Sequence, residues 1–126
     1  MSPEARDYLD KAREDLDEAR KIAAIGLAKA AARSAYYAAF HAAEALIVER
    51  TGKIARTHAG VRAMFADLSR FIPELDRAHT SFLAQAYKYK EIGDYGVGRG
   101  SAITQVDAED AIKSAERFVD AVQATL

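Results

Sequence analysis

Arg33, Tyr37, His41 and Glu44 fall at intervals of four, four and three residues. On a helix this spacing stacks them in one stripe, which Val48 continues. A guanidinium, a phenol, an imidazole and a carboxylate in line could bind a phosphate and move a proton. In that reading His41 is an acid/base oriented by Tyr37 or Glu44, and Arg33 holds the anion. The same row could instead hydrogen-bond between helices and fix their register.

Two further groups of residues carry potential chemistry. Between Arg50 and Arg62 stand four cations (Arg50, Lys53, Arg56 and Arg62) with no acid among them. Lys53 and Arg56 could contact phosphate beside a helix start capped by Thr57, with His58 as a second acid/base candidate. The other group is Lys88, Lys90, Asp94 and Tyr95, with Arg99 following in a glycine-rich stretch. Cations near a helix end are favourable in themselves. With exposed Tyr95 they also make a candidate nucleotide- or partner-binding surface.

Several chemistries are excluded. The histidines His41, His58 and His79 have no paired ligand spacing and the chain has no cysteine, so no metal site is expected. The run Gly96-Val97-Gly98-Arg99-Gly100 lacks the lysine and the following Ser/Thr of a phosphate loop, and it follows a helix pattern rather than a strand. No serine sits in a nucleophile elbow. Nothing here calls for a cofactor.

The elements that must position these residues read as helices throughout. The first is expected to start at Ser2, with Pro3 at its first position. Its apolar positions are Tyr8, Leu9, Ala12, Leu16, Ala19, Ile22 and Ala23, facing away from a charged side, and Gly26 stops it. The second runs from Leu27 to Thr51, roughly 37 Å at 1.5 Å per residue, and ends at Gly52. Its centre, Ser34-Ala35-Tyr36-Tyr37-Ala38-Ala39-Phe40-His41-Ala42-Ala43, is alanine-rich with interleaved rings. Alanines let neighbouring helices approach and the rings fill the remaining space, so this is the expected central helix.

Thr57 caps a short third helix with Val61, Met64, Phe65 and Leu68 inside. Pro73 is read as opening the fourth helix, which would contain Leu75, Phe82, Leu83, Ala86 and Tyr87. Residues 93–101, with four glycines, read as a loop. Thr104 and Asp107 form a near capping box for the last helix. No strand-like alternation or internal repeat is present. The expected fold is all-α, an antiparallel bundle of four long helices plus a shorter one, in a single domain spanning residues 1–126.

Eighteen basic and nineteen acidic residues leave a net charge of −1. Bulk charge therefore gives no reason to expect nucleic acid or an anionic membrane as partner, and only a local patch could bind either. The polar start, Met1 to Asp7, does not read as a signal peptide, and no apolar run suits a membrane span. A cytoplasmic location is expected.

The Tyr-Tyr-Ala-x-Phe-His core of the second helix resembles the signature of the HEPN domain family, in its small single-domain prokaryotic branch. Thr57-His58-Ala59-Gly60-Val61 and Asp94-Tyr95-Gly96 match in order, so the resemblance covers essentially the whole chain. It implies a homodimeric helical bundle linked to RNA cleavage and to toxin–antitoxin modules with a minimal nucleotidyltransferase partner. In some such pairs the partner adenylylates a tyrosine.

Ribonuclease members carry an arginine, four to six intervening residues, then a histidine. This chain has no such pair. Placing Tyr95 on the tyrosine of the related Arg-x4-His-x-Tyr pattern puts Lys88 on the arginine and Gly93 on the histidine. Lys53 stands in the right spacing before His58, but lysine lacks the planar fork of arginine. The resemblance thus implies a nucleotide-, RNA- or partner-binding module with a degenerate ribonuclease motif. The alternatives are a metal-independent ribonuclease using His41 or His58 with Arg33, Arg56 or Lys88 on phosphate, and a purely structural helical adaptor.

Overall fold

The computed structural model describes residues 1–96 and 102–126. Its five helices are α1 (Pro3–Ala24), α2 (Ala28–Thr51), α3 (His58–Ser69), α4 (Arg77–Tyr95) and α5 (Gln105–Thr125). Local chemistry sets most of their ends. The Ser2 hydroxyl accepts from the Ala5 N–H at 3.1 Å, with Pro3 at the first helical position. Thr57 accepts from the Gly60 N–H, and Thr104 and Asp107 close a reciprocal capping box. Gly26 and Gly52 take φ of 80° and 69°, left-handed values that only glycine adopts cheaply.

The four long helices run alternately up and down. The Ser2 N–H donates to the Glu49 carboxylate at 2.8 Å, so α1 begins where α2 ends. Arg33 near the start of α2 reaches Asp94 near the end of α4. The Gln105 amide at the start of α5 donates to the Ala23 carbonyl at the end of α1. The short α3 lies against α2 and α4.

Helix α2 is the axis of the bundle and touches the other four. Eight of its alanines, with Tyr36, Leu46 and Ile47, are buried. The absence of side chain beyond Cβ brings its neighbours close, and burial on several sides keeps it from showing one apolar stripe. Helix α1 is the opposite case: Ala5, Leu9, Ala12, Leu16, Ala19 and Ala23 are buried on one face and the other face is charged. Phe65 of α3 stacks on Phe118 of α5, with ring centres 4.9 Å apart.

Two expectations need correction. Pro73 does not open α4. Pro73 and Leu75 stand in the turn before it, with Leu75 buried, and Asp76 caps the helix in a reciprocal box with His79. The two N–H bonds accepted by the Asp76 carboxylate set the start, and they also hold that carboxyl below its usual range. The expected loop at residues 93–101 begins later, since Gly93, Asp94 and Tyr95 belong to α4. Gly93 is a helical glycine with the Arg33 side chain lying across it: a Cβ there would stand 2.7 Å from Arg33 Cδ. Close packing fixes this glycine, where its sequence neighbours suggest a turn.

Candidate functional site

Arg33 projects from the first turns of α2. Its Nε donates to Asp94 Oδ1 at 2.7 Å, and its guanidinium sits 4.9 Å from the Tyr37 ring centre. Lys90, one turn before Asp94, places its ammonium 3.0 Å from the other Asp94 oxygen and 5.4 Å from the Tyr95 ring centre. Two cations thus share one carboxylate between two tyrosine rings. The hydrogen bond from Lys90 and the charge of Arg33 hold the Asp94 carboxyl below its ordinary range, and Asp94 raises Lys90 in return. The group is fully ionised at neutral pH and carries one excess positive charge. Tyr95 is 72% exposed.

His58, at the first position of α3, sits inside an aromatic nest. The buried Tyr36 hydroxyl bonds its Nδ1 at 2.7 Å, and the ring packs 4.4 Å from Phe40 and 5.3 Å from Tyr87. Burial lowers its pKa, and the positive charges of Lys90 and Arg62 lower it further. The neutral ring is therefore favoured, with the Tyr36 phenol donating to it. Burial pushes the Tyr36 phenol well up, so Tyr36 remains a protonated donor. Arg62 lies over the Tyr87 ring at 4.6 Å, and among the described residues its buried Nη1 has no hydrogen-bond partner.

His41 has a different setting. Its Nδ1 is 2.5 Å from Oδ2 of Asp15, a carboxylate buried on α1. Lys11 Nζ stands 3.4 Å from the other Asp15 oxygen, and the Ser34 hydroxyl donates to the Asp15 carbonyl at 2.9 Å. The expected orienting groups are corrected accordingly. Glu44 is 3.9 Å from His41 Nε2, beyond hydrogen-bond reach, and Tyr37 meets the imidazole only as a tilted ring at 5.7 Å. Burial raises the Glu44 carboxyl, and His41 partly reverses this.

The candidate residues named from sequence therefore separate. Arg33, Lys90, Asp94 and Tyr95 meet on one face, and Arg33 continues through Tyr37 to His41 along α2. Lys88 does not join them. It points the other way on α4, over the Tyr89 ring, and its charge reaches Asp107 of α5. Lys53 and Arg56 stand on the exposed link between α2 and α3 and form no ion pair among the described residues. Arg99 lies outside the described residues. His79 is occupied in capping α4.

Asp15 and Arg62 are the participants that sequence reasoning missed. Asp15 carried a signal: it falls three residues after Ala12 and four before Ala19, on the apolar side of α1, where a carboxylate needs a partner. Arg62 was visible only as one of several basic residues.

The architecture and this face define a small helical-bundle protein with a preassembled cationic and aromatic surface. A model of the HEPN domain matches residues 5–125, and the chain belongs to the HEPN family. A UPF0332 protein of Gloeobacter violaceus is 31% identical over 123 residues, covering 94% of this chain and 93% of its own. A protein of Methanocaldococcus jannaschii named "Putative toxin MJ0605" is 30% identical over 125 residues, covering 98% of this chain and 89% of its own. The crystal structure of TT1696 from Thermus thermophilus superposes with a TM-score of 0.82 at 26% identity, covering 99% of this chain and all of the other. Among the described residues no helix is long and apolar enough to cross a membrane.

Proposed function

We propose that this chain is the HEPN member of a toxin–antitoxin or stress-response pair, acting in the cytoplasm as a homodimer beside a minimal nucleotidyltransferase. Its own task in this reading is to bind RNA or a nucleotide through the face shared by α2 and α4. The observation that carries the reading is the Arg33–Asp94–Lys90 group set between Tyr37 and Tyr95. Cations track phosphates and tyrosine rings stack on bases without needing a particular sequence. Asp94 holds both cations in place before any ligand arrives, which lowers the ordering cost of binding. The toxin-named relative supports the assignment to this kind of pair.

Fluorescence anisotropy with a labelled single-stranded RNA, beside an Arg33→Ala/Lys90→Ala variant, tests the binding role. Loss of binding in a folded variant is expected. Equal binding by both proteins would remove the proposed face. Co-purification with a co-expressed minimal nucleotidyltransferase tests the pairing, and light scattering tests the dimer.

The buried Asp15 beside His41 favours a second reading, metal-independent RNA cleavage, because a carboxylate behind an imidazole is how a histidine base is held for proton transfer. Incubation with total RNA in EDTA checks it. Cleavage lost on His41→Ala would establish it, and intact RNA from folded protein would dismiss it.

A further inference from the structure

A cleft of about 350 Å³ lies between α1 and the link that joins α2 to α3. Glu4, Asp7, Tyr8 and Lys11 of α1 line it, with His41 of α2 and Ile54 of the link. We propose that it is a docking site for a protein partner, which seats an arginine side chain between Glu4, Asp7 and the Tyr8 ring. None of the lining residues belongs to the Arg33–Asp94–Lys90 group, so this contact is separate from the face proposed to bind RNA.

Glu4, Asp7, Tyr8 and Lys11 follow one another at helical spacing, which puts them on one face of α1. That face has the means to neutralise itself, because Asp7 and Lys11 stand one turn apart. Lys11 instead reaches Asp15, with Nζ 3.4 Å from its carboxylate. Among the described residues Glu4 and Asp7 form no ion pair. Glu4 suits the helix dipole in the first turn of α1, but Asp7 lies beyond it. Glu44 of α2, only 11% exposed, adds a third carboxylate near the ring: burial and the charge of Glu44 both raise the Tyr8 phenol. The cleft is therefore acidic, while Tyr8 and the 58% exposed Ile54 give it apolar walls.

A cation on an apolar stem answers both features. The planar guanidinium of arginine can stack on Tyr8 and offer N–H groups to Glu4 and Asp7, while its methylenes lie along Ile54. What borders the cleft points to a polypeptide as the carrier. Lys53 and Arg56 flank Ile54 on the link, exposed and without ion pairs among the described residues. They repel a diffusible polyamine, which would also leave Ile54 uncovered. A polypeptide can present an arginine, an apolar residue and an acid in order across the strip. A second copy of this chain, laid on the same face about a two-fold axis, sets cleft against cleft and fills neither. The strip is also far smaller than the roughly 20–30 residues a side of a stable protein–protein interface, and suits a short segment.

The probe is the peptide acetyl-Arg-Leu-Glu-amide, beside the same peptide carrying citrulline, which keeps the shape of arginine and loses its charge. Titrations at neutral pH and low salt are followed through the NMR signals of Tyr8 and Ile54. The arginine peptide is expected to shift both residues and to bind roughly fivefold tighter than the citrulline peptide, the scale of a pair of partly exposed ion pairs. The Glu4→Gln/Asp7→Asn variant should bind the two peptides alike. The Asp10→Asn/Glu14→Gln variant loses the same charge from exposed positions of α1 outside the cleft and should keep the ratio. Equal binding of the two peptides by the parent protein overturns the inference, as do shifts that miss Tyr8 and Ile54, or no binding up to millimolar peptide. Spermidine binding as tightly as the arginine peptide would give the cleft to a diffusible amine and overturn it too. So would a dimer, seen by light scattering, that is lost in the Glu4→Gln/Asp7→Asn variant, because the occupant would then be a second copy.

Discussion

Gly93→Ala should destabilise the protein, although the same change normally strengthens a helix. Gly93 lies within α4, and alanine there is worth about 0.5–1 kcal/mol on propensity. Against this, the new Cβ would stand 2.7 Å from Arg33 Cδ and 3.3 Å from both Arg33 Cβ and Cγ. The first contact can be relieved by swinging the outer side chain. The contact with Cβ cannot, so the α2–α4 spacing must also give. Overpacking of this kind costs about 1–3 kcal/mol. Moving the guanidinium also removes its contact with the Tyr37 ring, about 0.5–1 kcal/mol at a partly exposed site. The opposing terms leave a net loss of about 1–3 kcal/mol.

A double-mutant cycle isolates the cause. Arg33→Ala removes most of the obstruction, so Gly93→Ala in that background should be neutral or stabilising. Urea denaturation followed by circular dichroism measures all four proteins. The expected coupling is the sum of the overpacking and ring-contact terms, about 1.5–4 kcal/mol, well outside the few tenths seen for independent sites. Additive effects, or a stabilising Gly93→Ala in the parent, would refute the claim that Arg33 is why position 93 is glycine. Under the proposed function, the same variant should also weaken RNA binding, since it displaces Arg33 from Asp94.

Three further outcomes follow from the site and the caps. Because burial and the charges of Lys90 and Arg62 lower the His58 pKa below 6.5, the unfolded chain takes up that proton first as pH falls. The His58 share of stability is therefore full above pH 6.5 and lost as pH falls from there through the depressed value. A His58 NMR titration midpoint at or above 6.5 would contradict this. Tyr36→Phe leaves His58 Nδ1 without its donor and should cost about 1–2 kcal/mol in urea denaturation, and an unchanged midpoint would show that the bond contributes nothing. Thr57→Ala removes the acceptor for the Gly60 N–H and should cost about 1 kcal/mol, read as a lower thermal midpoint.

Much of the architecture is legible in the sequence because it depends on neighbours a few residues apart. The caps at Ser2, Thr57 and Thr104, the stops at Gly26 and Gly52 and the apolar stripe of α1 all follow from local hydrogen bonding and 3.6-residue periodicity. So does the stripe of Arg33, Tyr37 and His41, since one helix carries all three. The errors at Pro73 and Gly93 arose where a tertiary or reciprocal contact outweighed a local turn signal.

What the tertiary structure alone decided is the partner of each stripe residue. Asp15 meets His41 across 26 residues, and Arg33 meets Asp94 across 61. Periodicity tells which face of a helix is buried but not the level at which two helices cross, and one turn of slip would exchange every such pair. That level is set by how the alanines of α2 seat the residues of α1 and α4. It is a property of the packed bundle, and no single segment contains it.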